Sequence, residues 1–270
     1  IWLLFAPFQL GHLSPEQWVE PSGGRGVWFG SELHLQLRAQ LVTANDVVCG
    51  VFLVLLSLRM LRPDRPISWW LACGVGAWLS LAPVVFWAPT AAAYHNDTVV
   101  GVALIVLTIL VPGMPNMPLY MRMGGEQPPG WSYNPSSWAQ RWIMIATGFA
   151  GFLVSRQLAV FQLGYVDTVP EPFFGDGSRR VLNSSMSHSL PVSDAALGTL
   201  AYTFEFLMGF MGSPARWRTM PWMVAFFGVL VIPLGLVHIA LVVSQPVVVG
   251  HWCTWCLLAA AIMLPTTPLV

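Results

Sequence analysis

Residues 221–243 read Pro221-Trp-Met-Val-Ala-Phe-Phe-Gly-Val-Leu-Val-Ile-Pro-Leu-Gly-Leu-Val-His238-Ile-Ala-Leu-Val-Val243. Across that whole stretch only His238 can carry a charge. At about 1.5 Å rise per residue, a helix of this length crosses the roughly 30 Å hydrocarbon core of a bilayer. The rest of the chain has the same character. It is 56% hydrophobic and 9% charged, where a soluble domain carries about 25% charged residues. Mean hydropathy is +0.65. So little charge cannot cover a surface facing water, and the lipid bilayer is the expected partner. The net charge is zero and every cationic side chain is arginine. With no basic patch, nucleic-acid binding is excluded.

The expected fold is all-α integral membrane, with about eight transmembrane helices in two four-helix halves. The expected helices span residues 1–10, 45–61, 67–88, 97–112, 140–161, 194–212, 221–243 and 250–265. An internal repeat fills the first half. Trp2-Leu3-Leu4-Phe5-Ala6-Pro7 matches Trp78-Leu79-Ser80-Leu81-Ala82-Pro83, and Asn45-Asp46 matches Asn96-Asp97. Each unit reads as a helix ending near Ala-Pro, then a loop, then a helix opened by Asn-Asp, whose side chains suit a helix start. Asp46 and Asp97 are therefore expected to be caps. Apolar residues precede Trp78 but not Trp2, so the first helix is expected to be truncated. The expected division is 1–112 for the repeat pair, 113–137 for a cytoplasmic Pro/Gly-rich linker and 138–270 for a second bundle.

Arginine placement predicts orientation, because short cytoplasmic loops collect basic residues. Arg59, Arg62 and Arg65 crowd one loop, Arg122 and Arg141 flank a second, and Arg216 and Arg218 lie in a third. Alternation puts all three loops on the cytoplasmic side. Cys253-Thr254-Trp255-Cys256 then sits at the extracytoplasmic mouth of the last helix. Two cysteines three apart share a helix face, and a helix N-terminus favours the thiolate. His251, when protonated, would add to that. A redox-active dithiol, a structural disulfide and a metal site all remain open at this point. Leu257 after the second cysteine excludes a c-type haem motif, and zinc would need two more ligands. Cys49 and Cys73 read as small hydrophobes in mid-helix.

The segment Val249-Gly250-His251-Trp252-Cys253-Thr254-Trp255-Cys256-Leu257 resembles the start of the last core helix of the vitamin K epoxide reductase family. Leu190 to Gly198, followed by Tyr202, resembles that family's approach to its second core helix. The likeness covers roughly residues 138–270. The first half is similar to bacterial membrane modules named for a Ser-Pro-Trp motif, with Ala-Pro in this chain instead. The vitamin K epoxide reductase resemblance implies a membrane thiol-disulfide oxidoreductase. Cys253 and Cys256 would be catalytic, and the dithiol would reduce a quinone (ubiquinone or menaquinone) held within the bundle. It also implies a second cysteine pair in the loop after the first core helix, taking electrons from an extracytoplasmic thioredoxin-like protein. Residues 162–193 contain no cysteine, and the loop reads Val181-Leu182-Asn183-Ser184-Ser185-Met186-Ser187 where the pair is expected. A degenerate form of such an enzyme, lacking the usual relay, is therefore expected. The alternative is a non-catalytic structural subunit of a larger membrane complex.

Polar groups at membrane depth are functional candidates. Arg156 and His238 each lie near the outer end of a helix, and with Trp252 they form the expected cofactor-binding set. Glu205 reads as a buried packing residue, and Phe173-Phe174-Gly175-Asp176-Gly177 as an aromatic lid with a tight turn. A transporter ranks last, because the repeat half is expected to hold no buried charge. The localisation this implies is a bacterial inner membrane, with the chain crossing it several times.

Overall fold

A computed structural model describes residues 1–20, 34–62, 66–109, 127–190, 192–264 and 266. Every regular element among them is helical. After α1 (Trp2–Gln9) and a short 3-10 turn (Pro15–Gln17) come α2 (Leu35–Met60), α3 (Pro66–Val85), α4 (Ala91–Ile109), α5 (Trp138–Gln162), α6 (Gly177–Leu182), α7 (Asp194–Phe210), α8 (Arg216–Thr219), α9 (Pro221–Ser244) and α10 (Thr254–Met263). A π-helical turn, Gln245–Val249, continues α9. Among the described residues five segments are long and apolar enough to cross a membrane: Leu35–Met60, Ile67–Val85, Ala91–Thr108, Trp138–Gln162 and Pro221–Val249. The expected eight are thus met in part. Helices α1, α7 and α10 are apolar but only 8, 17 and 10 residues long. Most of the expected linker, up to residue 126, lies outside the described residues, as do Arg25, Arg65 and Arg122.

The expected helix starts at 45 and 97 are corrected. Helix α2 begins at Leu35, where His34 Nδ1 accepts from Gln36 N at 3.3 Å. Helix α4 begins at Ala91, where Thr90 Oγ1 accepts from Ala93 N at 3.2 Å. Asp46 and Asp97 lie inside these helices and are fully buried, so they are not caps. An Asn-Asp pair favours a helix start only while its side chains seek local N–H groups. Here other helices satisfy the asparagines. Trp2 Nε1 donates to Asn96 Oδ1, and Trp78 Nε1 to Asn45 Oδ1, both at 2.7 Å. Each repeat unit thus ties its tryptophan to the asparagine of the other.

Helices α3 and α4 touch backbone to backbone. A Cβ placed on Gly76 would lie 2.8 Å from the Gly101 carbonyl oxygen. A cluster of Val84, Trp87, Tyr94, Ala159, Leu163 and Ala196 joins the two halves. Tyr165 Oη adds a hydrogen bond across that seam, donating to Ala88 O at 2.7 Å. In the second half, Met144, Tyr202, Met208, Met223, Phe227 and Met263 form the core. Arg141 and Arg216 are buried rather than loop-exposed. Arg141 donates to the carbonyls of Gly209 (2.9 Å), Met211 and Gly212 (2.7 Å), and Arg216 to Met208 at 2.8 Å. Both serve the carbonyls left open at the end of α7.

Candidate functional site: the dithiol at the head of the last helix

Cys253 is the N-cap of α10, and its sulfur accepts from Cys256 N at 3.1 Å. The two cysteines are joined as a disulfide, with Cα atoms 5.3 Å apart. The π-helical turn ahead of them sets this position. Gly250, at φ +72°, turns the chain back, and Gln245 is left pointing at the returning strand of backbone. Gln245 Oε1 accepts from Cys253 N at 2.9 Å, and Gln245 O from His251 N at 3.2 Å. Cys253 is fully buried, while Cys256 is half-buried.

The loop between α5 and α7 covers this helix head. Glu171 accepts from Thr254 N at 3.1 Å and from the hydroxyls of Thr254 and Ser178. Its carboxylate thus takes up a free N–H at a helix start, where negative charge is favoured. Burial pushes the Glu171 carboxyl up. The hydrogen bonds from Ser178, Thr254 and Phe173 outweigh that and bring it down to about 2. Ser178 Oγ also lies 3.3 Å from Cys253 Sγ. The approach depends on Gly177, where a Cβ would strike the carbonyl oxygen of Trp252. The loop thus meets Cys253 through Ser178, while from the stretch 181–187, where a cysteine pair was expected, Leu182 lies in the apolar cluster that packs against Cys256.

His251 faces outward, with its Nε2 3.0 Å from Arg180 Nη1. A guanidinium only donates, so in this contact the ring nitrogen accepts. Trp252 is partly exposed, and its ring lies 6.5 Å from that of Phe174, outside the bundle.

Below the dithiol lies a cavity of about 380 Å³, with walls that include Leu158, Pro233 and Leu241 and polar positions that include Ser155, His238 and Cys256. Its size and mixed lining suit a small organic molecule. His238 is held by two contacts. Its Nδ1 lies 2.8 Å from Leu234 O, and its Nε2 lies 3.1 Å from Tyr202 Oη. Nδ1 therefore donates to the carbonyl. Tyr202 is fully buried, and its single hydroxyl proton has two acceptors in reach, His238 Nε2 and Ala259 O, each at 3.1 Å. Of the three residues expected to bind a cofactor, His238 lines this cavity. Arg156 faces the seam between halves, 5.7 Å from the Tyr94 ring and 5.8 Å from the Phe152 ring. Neither it nor Trp252 is among the lining residues. Glu205 is fully buried, deeper along α7.

The sequence reading did not find Glu171, Ser178 or Gln245. Gln245 leaves a trace, as a polar residue before proline in an apolar run. Glu171 and Ser178 leave none, since their partners lie 75 to 83 residues away. Among the described residues no group of three or more His, Cys, Asp or Glu side chains is placed to hold a metal ion.

The chain matches no curated protein and no solved structure. Residues 142–270 match the Vitamin K epoxide reductase family, and the matched stretch holds the Cys253–Cys256 pair at the head of the last helix.

Proposed function

We propose that this chain is a membrane thiol-disulfide oxidoreductase that couples Cys253 and Cys256 to a quinone. The observation that carries the reading is a shared wall: Cys256 and His238 line the same apolar cavity directly beneath the disulfide. A quinone bound there would take two electrons and two protons as the dithiol closes to a disulfide. His238 offers the polar edge near the ring oxygens. Tyr202 acts through it, fixing the tautomer and orientation of the imidazole. Leu158, Pro233 and Leu241 exclude water.

Cys253 faces the covering loop and is the sulfur that an outside thiol would reach once the Glu171 and Ser178 contacts open. With serine beside it and no loop cysteine between 162 and 193, a partner's thiols would meet Cys253 directly. A thioredoxin-like protein outside a bacterial inner membrane fits that role, with the arginine loop at 59–65 on the cytoplasmic face. The test is the redox state of the 253–256 pair in reconstituted membranes. Starting from the dithiol, added ubiquinone or menaquinone is expected to restore the disulfide, and His238→Ala to slow that step at least tenfold. A dithiol that stays reduced with either quinone refutes the reading.

The missing loop pair also supports a second reading, a non-catalytic subunit of a larger membrane complex. Under it the chain co-purifies stoichiometrically with other subunits, and Cys253→Ser leaves their activity intact.

A further inference from the structure

We propose that His12, Asp46 and Asp97 form a proton-binding site between the two units of the repeat half, in which the two carboxyls share one proton and His12 exchanges it. All three side chains are at least 99% buried, with exposures of 1%, 0% and 0%. The two carboxyl groups lie within hydrogen-bonding reach of each other. Two bare carboxylates in contact away from water repel, and a hydrogen bond between them requires a proton on one.

The surroundings are built to leave that bond open. Asn45 Nδ2 donates to Asp46 Oδ1 at 3.4 Å and Asn96 Nδ2 to Asp97 Oδ1 at 3.0 Å. The tryptophans of the opposite units hold the asparagines in turn. Each Oδ1 is thus satisfied, while Oδ2 of each aspartate has no hydrogen-bond donor among the described residues. His12 is aimed at this gap, with its Nδ1 3.6 Å from Asp46 Oδ2 and neither ring nitrogen hydrogen-bonded among the described residues. A buried imidazole without a partner is costly to the fold, so its presence asks for a reason.

The repeat supplies a control for that reason. After α1, Gly11 takes a left-handed conformation (φ +69°) and His12 N donates to Pro7 O at 3.0 Å. After α3, Trp87 does the same (φ +49°) and Ala88 N donates to Pro83 O at 2.7 Å. Ala88 therefore fills the position that His12 fills in the first unit. A methyl group suffices to close this turn, and the imidazole is an addition made on one side only.

A proton fits better than a metal ion. The pair offers two free carboxyl oxygens and a ring nitrogen, and among the described residues no cluster is placed to ligate a metal. The titratable groups facing the pair are few. Cys49 on α2 feels both carboxylates, and Tyr165, which follows α5, feels Asp97 and Arg38. His95 on α4 faces Arg156 instead. From α3 the pair meets the Trp78–Asn45 contact, and from α1 the Trp2–Asn96 contact, neither of which titrates.

The experiment is pH-difference infrared spectroscopy of the whole chain reconstituted in lipid, with aspartate carrying a heavy carboxyl carbon so that Glu205 does not contribute. The expected result is a protonated-carboxyl stretch that downshifts in heavy water, is lost in Asp46→Asn and in Asp97→Asn, and titrates at a different pH in His12→Gln. A band unchanged in both asparagine variants would overturn the site. So would a band that added sodium abolishes at fixed pH, which would make the ligand a metal cation. If the variants do not fold, the unsubstituted chain still decides: no protonated aspartate band at neutral pH overturns the proposal.

Discussion

Glu171 sits on the loop over the dithiol, and its charge holds that loop to the head of α10. The carboxyl titrates near 2 where its ordinary value is 4.5. A depressed folded-state value makes a contribution that is complete above 4.5 and is lost as pH falls through about 2. Protection of the Thr254 amide from hydrogen exchange is therefore expected to be flat above pH 4.5 and to fall between 4.5 and 2. Glu171→Gln should lower protection throughout and remove the step, and a step that persists in that variant assigns it to another group. Ser178 leads to a second expectation. Its hydroxyl is 3.3 Å from Cys253 Sγ, within the range where a small side-chain shift brings two sulfurs together. The double variant Ser178→Cys, Cys256→Ser is expected to carry a disulfide between positions 178 and 253, seen by mass spectrometry of the unreduced chain. Free thiols at both positions under oxidising conditions would mean that Ser178 does not rest against Cys253. Cys253 and Cys256 were legible in the sequence because their spacing and place at a helix head are local facts. Glu171 and Ser178 were not, because nothing near them in the chain announces contacts made through the fold.

Two glycines, one on α3 and one on α4, differ in what surrounds them, and the difference tests how the two helices meet. A Cβ on Gly101 of α4 would run into Ser80 and the Gly76 carbonyl, whereas one on Gly74 of α3 meets nothing within 4 Å. Forcing a methyl into a packed contact costs about 1–3 kcal/mol. Replacing a helix-interior glycine by alanine where space is free gains roughly 0.5–1 kcal/mol. Gly101→Ala is thus expected to lower the unfolding midpoint in detergent, and Gly74→Ala to leave it unchanged or raise it. Equal effects would remove the backbone contact as the reason for the small residues. The same pair of helices marks where sequence reading fell short. The apolar runs located α3 and α4 well, but the start of α4 was misplaced because Asn96-Asp97 resembles a cap. Its side chains are instead claimed by Trp2 and by Asp46, on other helices. Tertiary partners overrode a local preference, as they did at Asn45-Asp46.

Across the whole molecule, one end gathers the dithiol, its covering loop and the seam between halves. Tyr165, three residues beyond α5, reaches Ala88 just beyond α3. Arg38, in the first turns of α2, donates to the Trp87 carbonyl at 2.9 Å. The start of α2 and the ends of α3 and α5 therefore share a level with the loop that carries Phe173. Leu61 follows the far end of α2, beyond a 26-residue helix that is roughly 39 Å long at 1.5 Å per residue. Composition made the membrane legible and the helix length makes the crossing necessary, but neither says which face is which. Both positions are open to reagent, Leu61 at 79% exposure and Phe173 at 77%. In a Cys49→Ala, Cys73→Ala background, Leu61→Cys and Phe173→Cys are expected to react with a membrane-impermeant maleimide from opposite sides of sealed vesicles. The dithiol stays silent in this assay as long as it is a disulfide. Labelling of both positions from one side would mean that α2 does not span the bilayer. Since α2 carries Asp46, that result would also leave the carboxyl pair on one face of the membrane instead of within it.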